Sequence, residues 1–451
     1  MIRRALIYLR NFIIAVILLV IAYLLWVVVI NLNDQPPSET VIEFERVWHS
    51  KPKVADEDNG YLYFLGLDSP QHIDPLEIGI ARSKWILEMN GASIDMGTDF
   101  PQQFDRLDES FSPELRAVFD QCKTIDHKCI ALINENKSAI EKWFSENNWV
   151  LDRYQKLISH TAWQETPIEN INMPLPRYAL PIYLQELSYI NLITQADRTS
   201  SEELIGMLGK DLTFWRNALA NNDTIISKMI SSAAIRNHFQ WINFIFLNLK
   251  DEKEIMSRYA DQLAPFNKQE LSMRDSYIGE WFFIKNAYAY AAVKESMQGE
   301  GKSRYLFKFA YQEQDSCNRH AELLNQLINI VDVDIKDFET SIKQLDDKQF
   351  EKKSLIERYL SPYNFTGRVL GDLISIKPYA SYSARVKDLE GARRALLTSM
   401  KLSINQEVDF TDDLFLNPYN HQPLQHNKEK RTISFTGLGQ SGDRNIYQYN
   451  Y

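Results

Sequence analysis

Nineteen consecutive positions, Phe12 to Ile30, carry no charge, no glycine and no proline. At about 1.5 Å per residue this run reaches about 28 Å, matching the hydrocarbon thickness of a bilayer. A soluble helix keeps a polar stripe, whereas this one is apolar all round, which argues against a buried core helix and for a transmembrane span. A cleaved signal peptide shares the basic start and apolar run. Its apolar core is shorter, however, and Asn31-Leu32-Asn33-Asp34 offers no small-x-small cleavage pattern, so the reading adopted is an anchor. Residues 31–40 are polar and contain Pro36-Pro37, which predicts a short, semi-extended stalk.

Beyond the stalk the pattern has mostly the helical period. Ser112-Pro113-Glu114-Leu115 opens a helix through about Gln121, with serine as the cap and proline at the first helical position. Asp126 caps the next, over about Lys128–Phe144, and Trp149–Ser159 continues it after a kink at Asn147-Asn148. Further helices are predicted over Tyr183–Ala196, Ser200–Leu219, Asp223–Leu249, Glu270–Met297, Tyr305–Val331 and Ile335–Leu345. The broad apolar face of Asp223–Leu249 places that helix at the centre of the array. From Leu360 the proline and glycine content rises. Arg431–Thr436 alternates as a strand does, with Pro423–His426 as its hairpin partner and Gly437, Gly439 and Gly442 marking a loop.

The fold class expected is therefore mainly α: one N-terminal transmembrane helix, then a large helical array with a small β-hairpin near the C-terminus. The divisions expected are a cytoplasmic segment at 1–11, the span at 12–30, the stalk, a first helical subdomain at 41–165 and a proline-rich connection at 166–182. A central helical subdomain at 183–359 and a C-terminal region at 360–451 complete the chain. No self-similarity appears at the usual repeat lengths, so nothing supports a solenoid.

Charge sets the orientation. Arg3, Arg4 and Arg10 precede the span and Asp34 and Glu39 follow it, which keeps the N-terminus in the cytoplasm. Without those arginines the formal charge of −10 becomes −13, an acidic body unsuited to phosphate backbones; no nucleic-acid partner is expected. The three cysteines are Cys122, Cys129 and Cys317. In one straight helix the first two would lie about 10.5 Å apart, too far for a bridge. A turn through the polar segment 123–128, ended by the Asp126 cap, brings them together, and an oxidising compartment then favours a Cys122–Cys129 disulfide with Cys317 free and buried.

Three stretches resemble a family of proteobacterial inner-membrane-anchored proteins. They are Asn59-Gly60-Tyr61-Leu62-Tyr63-Phe64-Leu65-Gly66-Leu67 with Asp74-Pro75 and Gly79; Cys122 and Cys129 with Arg153-Tyr154; and Asn417-Pro418-Tyr419-Asn420-His421-Gln422-Pro423-Leu424. The resemblance implies an inner-membrane location and brings no activity or catalytic residues.

Several motifs invite a chemical reading. Gly299-Glu300-Gly301-Lys302-Ser303 resembles the end of a phosphate-binding loop, but its first glycine is replaced by Ser296 and a helix precedes it where a strand is required. His421 and His426 flank a turn without enough further ligands for a metal shell. Asp68, His72 and Asp74 group as an acid–base set would, but turn chemistry is the stronger account of them. Trp281-Phe282-Phe283 with Tyr288 and Tyr290 reads as core, with a ligand groove as the lesser alternative. Neither Gly-x-Ser-x-Gly nor His-Glu-x-x-His occurs. We expect no catalytic residue, no cofactor and no metal. The function expected is a membrane-tethered periplasmic binding or scaffold protein with an envelope protein partner. The alternative is a tethered periplasmic hydrolase with a site assembled from dispersed residues.

Overall fold

The computed structural model describes residues 2–90, 99–105, 107–123, 125–169, 172–196, 198–248, 252–298, 311–348, 362–372, 377–439 and 445–451. Two compact units divide the chain. The first comprises Met1–Ser50, Trp281–Leu327 and Gln344–Ile376, and the second comprises Lys51–Glu280, Ile328–Lys343 and Lys377–Tyr451. The proline-rich segment 166–182 lies within the second unit.

In the first unit the apolar run forms helix α1 (Ile2–Ile30). With no glycine or proline before Phe12 the helix starts early, and its membrane-length apolar stretch covers Leu6–Ile30, six residues more than expected. Its large side chains from Leu6 face outward. The chain then turns into an extended segment and α2 (Glu39–His49), capped by Ser38.

The stalk is fastened rather than free. Asn31 Nδ2 donates to the Pro362 carbonyl at 3.2 Å, and its Oδ1 accepts from Asn364 N at 2.8 Å. Asp34 accepts from the amides of Gln314 and Asp315 at 2.6 and 3.0 Å, a cap supplied from a distant part of the chain to the helix Glu313–Val331. Asn318 holds Ser38 N and the Pro36 carbonyl in the same way, at 2.9 Å each. Trp281 and Phe282 belong to this unit's core: Trp281 packs edge-on to Phe44 and donates to the Cys317 carbonyl, and Phe282 stacks on Trp48.

In the second unit, α3 (Gly60–Leu65) and α4 (Pro75–Met89) are capped by Asn59 and Asp74. They cross at Gly66 and Gly79, where a Cβ on either would overlap a backbone carbonyl of the other helix, Pro75 or Leu62. Next come α5 (Pro113–Gln121), α6 (His127–Glu135), α7 (Lys137–Glu146) and α8 (Asn148–Leu157). The single helix expected over 128–144 is thus two. It breaks at Asn136, whose side-chain Nδ2 bonds back to the Leu132 carbonyl at 2.9 Å and competes with the helical ladder. Helix α9 (Leu180–Thr194) starts inside the proline-rich segment, because Pro181 occupies its first turn, where its missing N–H costs nothing.

The centre of the unit is α10 (Ser201–Asn221), α11 (Ile225–Leu247) and the helix Lys377–Ser403, with α10 packed on α11 and α11 on that last helix. Short α12 (Glu252–Ala260) and α13 (Lys268–Leu271) precede α14 (Arg274–Gln298), inside which the unit boundary falls. The segment expected as one helix over 270–297 is divided at Ser272, whose hydroxyl accepts from Arg274 N at 3.1 Å and starts α14 afresh. Then follow α15 (Glu313–Val331), α16 (Ile335–Lys348), α17 (Phe365–Asp372) and α18 (Lys377–Ser403). The described part of the helix expected over 305–331 begins only at Glu313.

The C-terminal region holds more than the hairpin expected there. Helix α18 is buried over most of its length despite its many charges. Strands β1 (Gln425–Asn427), β2 (Thr432–Thr436) and β3 (Ile446–Asn450) form an antiparallel sheet, and β2 and β3 pack on α18. Ser434 is opposite Gln425 on one side and Gln448 on the other. Gly391 gives the Phe435 ring room against α18.

Candidate functional site

The connection between α10 and α11 is only Asn222-Asp223-Thr224. Thr224 caps α11 through Ser227 N at 3.2 Å, so Lys228 falls one turn into the helix, directed back toward the end of α10. There its Nζ donates to the Leu219 carbonyl at 2.5 Å, one of the acceptors that a helix C-terminus leaves open. Asn267 and Glu270 form a capping box that starts α13 beside the same place, and Glu270 is held by Arg216 at 2.7 and 2.8 Å. Ser272 ends that turn and donates to Asp332 Oδ2 at 2.7 Å.

These elements border a partly open cavity of about 340 Å³ lined by Ala220, Asn222, Lys228, Lys268, Gln269, Ser272, Arg274, Asp275 and Asp332. Both signs of charge are present, but the carboxylates are engaged: Asp332 with Ser272, and Asp275 with Lys51 at 3.2 Å, which also bridges to Asp223. Among the described residues neither Lys228 nor Lys268 has a carboxylate within ion-pairing distance. Burial pushes the Lys228 amine down to about 7, and the carboxylates of Asp275, Asp332, Glu270 and Glu165 only partly oppose it.

Behind the cavity is a second buried group. Glu165 accepts from Trp163 Nε1 at 3.3 Å, Asn222 Nδ2 at 3.2 Å and Thr224 Oγ1 at 3.0 Å. Burial raises its carboxyl well above the ordinary range, and the neighbouring Asp223 adds to this. Asp223 is itself raised by burial, against the pull of Lys51. Asn222 spends its Nδ2 on Glu165, and its buried Oδ1 has no hydrogen-bond partner among the described residues. A buried amine and a polar, partly open recess thus lie together at the junction of α10, α11 and α13.

A second, more open hollow of about 340 Å³ is lined by Tyr63, His72, Asp74, Trp149, Asp152, Arg153 and Lys156, among others. Arg153 is spent on structure there. Its guanidinium donates to the carbonyls of Ser69, Pro70 and Ile73 and packs against Trp149.

The sequence motifs fall into place around these features. Asp68 pairs with Arg82 at 2.6 Å and Arg177 at 3.4 Å, while Asp74 caps α4; only His72 and Asp74 share the open hollow. His421 Nδ1 meets Asp413 at 2.7 Å and His426 Nε2 meets Tyr451 Oη at 2.7 Å, so the two imidazoles take separate partners. Among the described residues no group of three or more His, Cys, Asp or Glu is arranged for a metal ion. The phosphate-loop resemblance at 299–303 and the side chains of Tyr288 and Tyr290 lie outside the described residues.

Gly437 and Gly439 have a structural task. The amides of Leu438 and Gly439 and the Tyr419 hydroxyl converge on buried Asp388 at 2.9, 2.9 and 2.7 Å. Tyr154, adjacent to Arg153, donates to Asp211. That carboxylate also takes Tyr189 Oη at 2.7 Å, Gln185 Nε2 at 2.9 Å and His238 Nδ1 at 2.6 Å inside the core. Cys122 and Cys129 stand at disulfide distance with Cα atoms 4.8 Å apart, and Cys317 is buried.

No sequence motif singled out Lys228, Lys268, Ser272, Arg274 or Asp332. The available signal was Lys228 within the apolar face of Asp223–Leu249, a charge where burial was expected. No family model, curated protein or solved structure matches the chain.

Proposed function

We propose that this chain is a membrane-tethered binding protein of the bacterial envelope, held by α1 with its N-terminus in the cytoplasm and its body in the periplasm, whose second unit captures a small ligand. The observation that carries this reading is the polar cavity lined by buried Lys228 together with Lys268, Ser272, Arg274, Asp275 and Asp332. The location is supported by the outward-facing apolar surface of α1, the arginines that precede it and the cysteine pair at bonding distance. The hydrogen bonds that fasten residues 31–38 to Gln314, Asn318 and Asn364 hold the first unit close to the end of the span.

Hydrolysis is disfavoured by the bonding. Ser272 gives its proton to Asp332 and Lys228 donates to a backbone carbonyl, so hydroxyl and amine are not joined as nucleophile and base. Thermal unfolding of the full chain in lipid discs, with and without a low-mass envelope extract, tests the reading. A ligand at a hundred times its Kd adds about 2.7 kcal/mol, so the midpoint should rise by several degrees in the native chain and not in Lys228→Met. Ester or amide hydrolysis that disappears in Ser272→Ala would reverse the conclusion in favour of an enzyme. A reporter fused after Tyr451 should behave as periplasmic; recovery of a soluble chain lacking residues 1–30 would remove the tether.

A further inference from the structure

Two apolar positions at the end of α1 are not bare: Val27 and Ile30 are half-buried, while Trp26, Val28 and Val29 beside them stay exposed. Protein therefore begins to cover one face of α1 within the last turn of its apolar stretch Leu6–Ile30. Asn31 shows which part does so. Its Nδ2 donates to the Pro362 carbonyl at 3.2 Å, its Oδ1 accepts from Asn364 N at 2.8 Å, and its own carbonyl accepts from Gln312 Nε2 at 2.7 Å. Two segments distant in sequence are thus pinned to the first residue after the span, and Asn31 is buried between them.

Depth follows from length. With Arg10 at the inner boundary, Phe12–Ile30 reaches about 28 Å and fills a hydrocarbon core of about 30 Å, so Ile30 and Asn31 stand at its outer boundary. Residues bonded to Asn31 stand within about one helical turn, or about 5 Å, of the same level. The side chains they bring suit it. Tyr311 adjoins Gln312, Tyr363 lies between the two anchored positions 362 and 364, and Phe365 follows them; all three are half-buried rather than sealed in the core. The Tyr363 hydroxyl reaches Asp34 Oδ1 at 3.4 Å, so its ring flanks the chain where it leaves the span. Exposed Trp26 contributes a fourth ring from α1 itself, and exposed Leu32 an apolar side chain just beyond it. Tyrosine and tryptophan gather at the junction of acyl chains and headgroups because the ring is apolar while the hydroxyl or indole N–H keeps polar partners.

Resting on the reading of α1 as a membrane span, we propose that the first unit is seated on the bilayer through this aromatic collar, with Tyr311, Tyr363 and Phe365 in the headgroup–acyl boundary of the leaflet on the body's side. The partner is the lipid surface. Unfastened, residues 31–40 would let the body stand up to about 33 Å from the membrane. The bonds to Asn31 and Asp34 remove that freedom, and the collar continues directly from the exposed apolar surface of α1. The contact is aromatic and apolar, so it needs no anionic headgroup.

The test places a nitroxide on single introduced cysteines of the full chain in discs of phosphatidylcholine alone; Cys122 and Cys129 stand at disulfide distance and Cys317 is buried, so they do not compete for the label. A label at Leu32→Cys reports whether α1 spans. Labels at Tyr363→Cys and Phe365→Cys report the seating, with each variant's folding verified by its unfolding midpoint. Oxygen, which partitions into lipid, should relax all three labels about threefold more than a water-soluble nickel chelate does, as expected at the membrane interface. A Leu32 label at the lipid boundary, with Tyr363 and Phe365 labels as open to nickel as a free label in buffer, would overturn the seating and leave the tether standing; all three labels in water would reject both. The native chain supplies a check free of substitutions. A photoreactive phosphatidylcholine should attach within the peptides that carry Tyr311 or Tyr363. Attachment confined to α1, or cross-linking of those peptides to a second protein chain in place of lipid, would overturn the proposal.

Discussion

Replacing Lys228 by methionine removes a charge that the fold keeps out of water while conserving most of the side chain's volume. Lys228 is 2% exposed and its amine donates to the Leu219 carbonyl. Burial lowers it from 10.5 to about 7, so at pH 7 the folded chain holds half neutral an amine that the unfolded chain charges freely. That difference corresponds to about 4 kcal/mol against folding at pH 7. The sign follows from the depressed value. Stability is greatest above pH 10.5, where the amine is neutral in both states, and is lost as pH falls through the interval down to about 7.

Methionine escapes this cost but leaves the Leu219 carbonyl without its donor, a loss of about 1–3 kcal/mol. Lys228→Met should therefore be more stable than the native chain by about 1–3 kcal/mol at pH 7 and less stable near pH 10.5, with the order inverting between. Pulse proteolysis across a denaturant series, run on both full-length proteins in detergent at half-unit pH steps, measures the difference directly. Groups common to both proteins cancel in it. A difference that stays constant from pH 7 to pH 10 would refute the claim that Lys228 is held as a desolvated amine.

Three further outcomes are expected. Gly79→Ala should destabilise the second unit by about 3 kcal/mol or more, because the new Cβ meets the Leu62 carbonyl, a backbone atom that cannot rotate away; an unchanged denaturant midpoint would contradict the crossing at Gly66 and Gly79. In protein taken from the envelope, Cys122 and Cys129 should resist alkylation until reduced while Cys317 yields only after unfolding; replacing the pair by serine should cost no more than about 2–3 kcal/mol, and free alkylation of both thiols would remove the bridge and weaken the periplasmic assignment. Asp388→Ala leaves the Leu438 and Gly439 amides and the Tyr419 hydroxyl without their acceptor, so hydrogen exchange at those amides should accelerate sharply; protection equal to the native chain would show that the sheet is held by other contacts.

What could be read from the chain itself was whatever depends on neighbours in sequence. The apolar run marked α1, Ser112 and Ser200 marked the helix starts they cap, and the alternation at 431–436 marked β2. The polar turn at 123–128 showed that Cys122 and Cys129 were able to meet, since their approach needs only a local reversal. Tertiary structure decided the rest. Helix α18 escaped notice because its charges are buried: Glu390 is clasped by Arg393 and Arg394, and Asp388 by the loop after β2, partners separated from it by as many as fifty-one positions. Strand β3 joins a hairpin that sequence had already closed. Fastening of the stalk depends on Gln314, Asn318 and Asn364, about 280 to 333 positions away. The cavity is the clearest case. Hydrophobic periodicity reports which face of a helix is buried, but how far burial lowers the Lys228 amine is tempered by Asp275, Asp332, Glu270 and Glu165 brought from distant parts of the chain, and charge interactions act through space without regard to chain order.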